Sequence, residues 1–325
     1  MKLILKLLFC FLFIHFGFCS LYAQENQSNK IIKQLDDLYR LKKIGSVISL
    51  TNKTLESLEP KNSKDSLLMS KLYLYKYLGF HNRKKTINNI TFLDTGIKYC
   101  PKSNTGDSLK ATLYNTKAYL ESELGNGMKS YRSISNSLKL LEKLPNPNPG
   151  GLMGAYLLLS TKNAYYGNFE KAKQYIRLAE NTYAKNKSYI DKNTWELNGN
   201  NHRMGVILKY RKIYMFWKLS KDSKDSLSMV NTMQSLEKMH NLPDFHKEER
   251  VYYSTALNHI GDWFVSHKHD SLTTEKNVKL GLQFLLKSHN LVQNKKYPGT
   301  LWAIKYNIAK AYTKGNLLEK ADSTM

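Results

Sequence analysis

The sequence predicts an all-α protein, an α-solenoid of about seven helical hairpins, and three observations carry that prediction. From residue 30 onward apolar residues recur every three or four positions, as Ile31, Leu35, Leu38 and Leu41 do, which is the period of a helix buried along one stripe. Alternation of the strand type is nearly absent. Helix starts fall 35 to 52 residues apart, the range of stacked helical-hairpin repeats. The tripeptide Asp-Ser-Leu occurs four times, each time just ahead of an apolar periodic run.

The first pair covers 30–59, with helices near 30–42 and 44–59, and Pro60 stops it because proline has no N–H to give a helix. The second covers 65–99 (65–80 and 84–99); Asp65-Ser66-Leu67 opens it and Pro101 follows it. The third, 105–144 (105–124 and 127–144), carries Asp107-Ser108-Leu109 at its start. Pro145 to Gly151 is the linker of the chain, either a stiff turn between two repeats or a flexion point between halves. Helical pairs of one style on both sides favour the turn. The fourth pair covers 151–185 (151–166 and 169–185) and the fifth 202–240 (202–220 and 223–240), the latter with Asp225-Ser226-Leu227 at the start of its second helix. The sixth, 246–293 (246–266 and 273–293), has Asp270-Ser271-Leu272 just ahead of its second helix, and Pro298 opens the seventh, 298–325 (298–314 and from 317 on), read as an incomplete pair. Asp or Ser at these points accepts orphan N–H groups of the first turn, and the Asp charge suits the positive helix end. A catalytic reading of Asp-Ser fails because no paired His recurs with it.

Composition narrows the function classes. The 325 residues carry 50 Lys and Arg against 26 Asp and Glu, a net charge of +24. A hydrophobic share of 42% excludes wholesale disorder, and 7 Pro, 17 Gly and 3 Cys exclude collagen-like and disulfide-framework classes. The basic surplus hints at an anionic partner, but only 7 of the 50 basic residues are Arg, at positions 40, 83, 132, 177, 203, 211 and 250. Nucleic-acid readers favour Arg for its bidentate fork and its stacking. Lysines spread over many helices without a block read as a solubilising exterior, with a polyanion or membrane-surface partner as the weaker alternative.

The N-terminus has the order of a secretory signal: Lys2 and Lys6, an apolar run from Leu7 to Phe18, then Ala23 at the cut. The expected mature chain is 24–325, exported, with a net charge of +22 after the loss of Lys2 and Lys6. Lipidation at Cys19 is the rival, opposed by the bulky Phe18 before it. Cleavage removes Cys10 and Cys19 and leaves Cys100 as a lone thiol at a helix end, read as a packing residue. No second long apolar segment follows, so no membrane span is expected after the signal.

Small residues at a fixed distance identify the repeat type. Tyr156, Leu159 and Ser160, then Gly167-Asn168-Phe169, then Ala172, Ile176 and Ala179, resemble a tetratricopeptide repeat, with Ser160 and Ala172 twelve apart. Ala309 and Ala321 keep the same distance beside Ile308 and Tyr312. Tyr114, Ala118, Ser130, Ile134 and Ser137 match in part. So do Leu257, Ile260, Gly261 and Phe264, followed after an insertion of about eight residues by Gly281, Leu285 and Ser288. In the second pair Leu78-Gly79 fits but the second helix leaves the register. The resemblance implies a right-handed array whose first helices line a concave groove for a peptide or protein segment. Carried onto this sequence, the groove residues are Lys76, Arg83, Asn115, Tyr119, Asn258, Asp262, Tyr306 and Lys310.

Catalytic and phosphate-binding motifs of the common kinds are absent, so a non-enzymatic chain without cofactor is expected. His259, His267 and His269 form the weak metal candidate, set against their place at a polar turn. Trp195, Trp217, Trp263 and Trp302 lie on helical periods and read as core, not as a base-stacking surface. The layout also resembles the exported repeat region of Bacteroidota sensor proteins. That resemblance implies a periplasmic ligand-sensing part ahead of a membrane helix and a helix-turn-helix or kinase module.

Overall fold

The computed structural model describes residues 27–83, 88–192, 204–219, 250–266, 273–292 and 298–324, with Asn231, Gln234, Glu237 and Lys238 besides. Those residues form thirteen helices and no strand, packed largely on near neighbours in sequence within each of two units, a solenoid-like all-α arrangement. The signal, Trp195, the second helix of the fifth pair, His267, His269 and the third and fourth Asp-Ser-Leu tripeptides lie outside the described residues. None of the helices is long and apolar enough to cross a membrane.

The chain divides into two compact units, residues 1–147 and 148–325, within the Pro145–Gly151 segment. The first unit holds α1 (27–40), α2 (Ile44–Ser57), α3 (Ser63–Arg83), α4 (Asn88–Tyr99), α5 (Asn104–Glu123) and α6 (Gly127–Leu141). The second holds α7 (Pro149–Tyr165), α8 (Phe169–Lys192), α9 (Met204–Leu219), α10 (Arg250–Ser266), α11 (Thr274–Leu291), α12 (Pro298–Lys314) and α13 (Leu318–Asp322). The first helices of the pairs are α1, α3, α5, α7, α9, α10 and α12. Proline and asparagine suit the division point: Pro149 starts α7 and Asn148 accepts from the N–H groups of Gly150 and Gly151 at 2.9 and 3.0 Å.

The helix starts correct the capping expectation by a turn. α3 begins at Ser63, and Asn62 is its cap, accepting from the N–H groups of Lys64 and Asp65 at 2.8 and 3.0 Å. Asp65 sits inside the first turn and accepts from the Lys61 N–H, one residue before the cap. α5 is capped by Ser103, which accepts from Gly106, with Asp107 again in the first turn. The aspartates thus serve the helix dipole, while the residue three or four places earlier closes the end. The partner helix expected over 169–185 runs on to Lys192, with a break at Asn186 (φ −123°, ψ 21°).

Turns inside the hairpins share one geometry. Lys42, Gly125, Gly167 and Asn316 have φ between 56° and 80°, and the N–H of the residue after each reaches back to the carbonyl five before it, as Asn168 does to Asn163 at 2.8 Å. This left-handed helix end is free of strain only for glycine, which explains Gly125 and Gly167.

Between the two helices of a pair, small residues form rungs. Ser130 Oγ donates to the Ala118 carbonyl at 2.7 Å and Ser160 Oγ to the Ala172 carbonyl at 2.9 Å, both across twelve residues. A second rung spans twenty-six residues: Ser70 to the Gly96 carbonyl and Ser137 to the Ala111 carbonyl, each at 2.8 Å. In α10 and α11 both rungs are wider by eight residues: Gly261 meets Gly281, and Ser254 and Ser288 exchange hydroxyl–carbonyl bonds at 3.0 and 2.7 Å. An inserted turn lengthens the loop, yet the helices still cross at their small residues. A hydroxyl can reach a carbonyl of the opposite backbone only where no bulky side chain intervenes, which is why these positions are Ser, Ala or Gly.

The second pair keeps the outer rung at Ser70 and Gly96, which places Gly79 outside the series. Gly79 faces the preceding pair instead: a Cβ there would stand 2.7 Å from Ile48 Cγ1. Cores form in each unit from the remaining apolar stripe, Tyr77, Leu93, Leu113 and Leu120 in the first and Val265, Leu285, Val292, Ile304, Ile308 and Ala311 in the second. Cys100 packs against the first of these, with its sulfur 3.1 Å from Ser70 Oγ, and burial pushes its thiol pKa up. A thiol held protonated is a poor nucleophile. Iodoacetamide at neutral pH is therefore expected to label Cys100 slowly in the folded protein and rapidly in urea. Equal rates would remove the packing role.

Candidate binding site

In the second unit the first helices contact one another in series, α7 on α9, α9 on α10 and α10 on α12. The side chains on this run of first helices converge on Asp262. Its Oδ1 accepts from Lys310 Nζ at 2.9 Å and from Ser266 Oγ at 3.1 Å, and its Oδ2 accepts from Trp217 Nε1 at 3.0 Å. Burial pushes the carboxyl pKa up, but the bonds from Lys310, Trp217 and Ser266 outweigh burial and hold it below the ordinary aspartate value. One helical turn before, Asn258 accepts from Asn307 Nδ2 at 3.0 Å.

An aromatic cluster adjoins the carboxylate. His259, 9% exposed, stacks on Trp217 with ring centroids 4.3 Å apart and meets Tyr214 edge-on at 5.5 Å. Burial holds the imidazole neutral, down to a pKa of about 4; Asp262 opposes this, while Lys218 and Arg211 reinforce it. Burial likewise pushes Tyr214 up to about 12. Lys218 Nζ lies 4.4 Å from the Trp217 ring centroid and 5.9 Å from that of Tyr214, and no ion pair joins it to a described carboxylate. Arg211 lies over Tyr210 at 5.4 Å. Beside it, Lys162 of α7 is buried, and burial and then the Arg211 charge lower its pKa. On α12, Trp302 and Tyr306 stack at 5.9 Å and are 63% and 51% exposed.

The sequence-derived groove residues separate into three outcomes. Asp262 and Lys310 form one ion pair although 48 residues apart, with Asn258 beside them and Tyr306 exposed on the same helix as Lys310. Asn115 and Tyr119 lie half-buried on α5 in the first unit. Lys76 faces elsewhere: its ammonium sits 5.3 Å from the Phe92 ring of α4, the second helix of its own pair. The reason is the register of the second pair. Counting from Gly79 rather than from the Ser70 rung shifts the assignment by two residues, about 200° around the helix. The Arg83 side chain lies outside the described residues.

Several residues of the cluster escaped the sequence reading. Trp217 and Trp302 were expected in the core; Trp263 is there, but Trp217 is half-buried and Trp302 exposed. Lys218, Asn307, Ser266 and Lys314, which donates to the Val265 carbonyl, were not singled out. The fifth pair has no small-residue marker to give its register, so nothing in the sequence set Trp217 against α10. His259 is a stacked, neutral side chain, and among the described residues no group of His, Cys, Asp and Glu could hold a metal ion.

No family model matches the chain, and no characterised protein is similar enough in sequence to match it. Among solved structures it is similar to BtubC (BKLC) from P. vanneervenii, at 15% sequence identity and a TM-score of 0.50, over 73% of this chain and 86% of that one. At that identity the likeness concerns the fold, an all-helical, helical-repeat-like chain.

Proposed function

We propose that the chain is an exported, non-enzymatic scaffold of the tetratricopeptide-repeat type that binds a peptide or protein segment on its first helices. The observation that carries this reading is the serial packing of α7, α9, α10 and α12, with polar side chains of the last three meeting across neighbouring hairpins at Asp262. A carboxylate held by three donors and flanked by rings is a rigid surface, and rigid polar surface binds without the entropic loss of ordering itself. The twelve-residue rungs support the repeat type, and Lys2, Lys6 and the apolar run to Phe18 support export to the periplasm.

The test uses the mature chain, 24–325, as bait in a periplasmic extract from its own host. Tyr306→Ala together with Asn258→Ala is expected to lose the captured partner, while Lys279→Ala, on the second helix α11, keeps it. Equal capture by both variants overturns the reading.

A further inference from the structure

The charge of this protein is sorted by helix in a way its linear sequence conceals. The four first helices of the second unit, α7, α9, α10 and α12, carry nine basic residues (Lys162, Lys209, Arg211, Lys212, Lys218, Arg250, Lys305, Lys310 and Lys314) and a single acid, Asp262. The second helices α8, α11 and α13 hold six acids against ten basic residues, so it is the acids that are sorted between the two sets of helices. The first unit shows no such sorting, since α5 has three acids against two lysines. Because α7, α9, α10 and α12 pack in series, residues scattered over more than 150 positions gather on one run of helices.

Asp262 is fully engaged by Lys310, Ser266 and Trp217, and Lys212 pairs with Glu180 of α8 at 2.7 Å, so two of the nine cations have their acid and the run keeps a net surplus of cations. Two of those are already held in place. Lys218 lies against the Trp217 and Tyr214 rings, and Lys314 donates to the Val265 carbonyl; neither makes an ion pair with a described carboxylate. A lysine pinned by rings or a carbonyl has already lost much of its rotamer freedom, so an incoming anion meets a prepared partner. Exposed aromatic surface lies alongside, in Trp302 and Tyr306 on α12 and Tyr165 at the end of α7.

We infer that this face receives an acidic peptide segment of a partner protein, its carboxylates on Lys218 and Lys314 and its apolar side chains on the neighbouring rings. The inference rests on the peptide-scaffold reading above and adds the chemistry of the ligand. Rings beside cations favour a peptide over a sulfated or phosphorylated polymer, which has no apolar side chains to place there. A second copy of this chain is a poor occupant, since each copy carries +24.

The experiment measures binding of the mature chain by fluorescence anisotropy to a labelled dodecapeptide of alternating Glu and Tyr. A Lys/Tyr dodecapeptide and a heparin dodecasaccharide are run in parallel. The Glu/Tyr peptide is expected to bind, with affinity falling as salt is raised. Lys218→Gln with Lys314→Gln is expected to weaken it about tenfold, both side chains lying outside the ion pairs that hold the fold. Lys71→Gln with Lys110→Gln, in the first unit, is expected to change it little. Equal binding of the Lys/Tyr peptide overturns the acidic preference and leaves the scaffold reading standing. Binding of neither peptide overturns both. Heparin bound more tightly than the Glu/Tyr peptide, through the same lysines, assigns the face to polyanions and overturns the proposal, as does an equal loss from the first-unit variant.

Discussion

Acidification from pH 6.5 to about 4 is expected to destabilise the second unit by about 3 kcal/mol through His259 alone. The imidazole is stacked on Trp217 and edged by Tyr214, and burial depresses its pKa from 6.5 to about 4. The groups facing it are Asp262, which favours the protonated ring, and Lys218 and Arg211, which oppose it. In the unfolded chain the ring takes up a proton as pH falls below 6.5, while in the folded protein it stays neutral until about 4. The unfolded state therefore binds more protons across that window, and stability falls with pH until both states are charged. His259→Phe keeps a stacking ring and removes the proton site. Urea unfolding of the mature chain at pH 7 and pH 4.5, followed by tryptophan fluorescence, should show the acid loss shrink by most of that amount in the variant. The same loss in both proteins would separate His259 from the acid sensitivity. Asp262 does not confuse the window, because its depressed pKa makes its contribution vanish only at lower pH.

Gly261→Ala is expected to destabilise the protein by about 2 kcal/mol, against the ordinary preference of a helix for alanine, which favours the change by about 1 kcal/mol. The new Cβ would stand 2.6 Å from Leu285 Cγ and 2.9 Å from the Gly281 carbonyl oxygen. A side chain can rotate aside, but the carbonyl belongs to the α11 backbone, so the two helices must part. Parting them also strains the Ser254–Ser288 rung, where two hydroxyls exchange bonds with the opposite carbonyls. The control is Gly299→Ala on α12, where no atom lies within 4 Å of the added methyl. Thermal unfolding by circular dichroism should place Gly261→Ala about 6 °C below the wild type and Gly299→Ala at or slightly above it. Equal midpoints for the two variants would mean that the helix crossing does not depend on the glycine pair.

The small residues were legible because they answer a one-dimensional question. Two helices joined by a short turn meet at a distance along the chain that the turn length dictates, so Ala118 with Ser130, and Ser160 with Ala172, declare themselves by their spacing. The α10–α11 pair obeys the same rule with eight residues added to its loop. The rule failed at Gly79, whose close neighbour is Ile48 of the previous pair. A glycine shows that something approaches closely and not what approaches. That ambiguity misplaced Lys76, which turns to Phe92.

Sequence by itself determined the helical class, the pairing of neighbours and the residues at their crossings, since each of these depends on contacts within about forty residues. It also pointed to Asp262 and Lys310, and to Asn258 and Tyr306, as equivalent positions on successive first helices. The tertiary structure decided that Asp262 meets Lys310 from 48 residues away and Trp217 from 45, and that His259 is buried against the same indole. It decided the meaning of the charge as well. Lys218 and Lys310, far apart along the chain, come to the surroundings of Asp262 and Trp217 when the helices bearing them pack in series, because Coulomb interaction depends on distance in space and takes no account of distance in sequence.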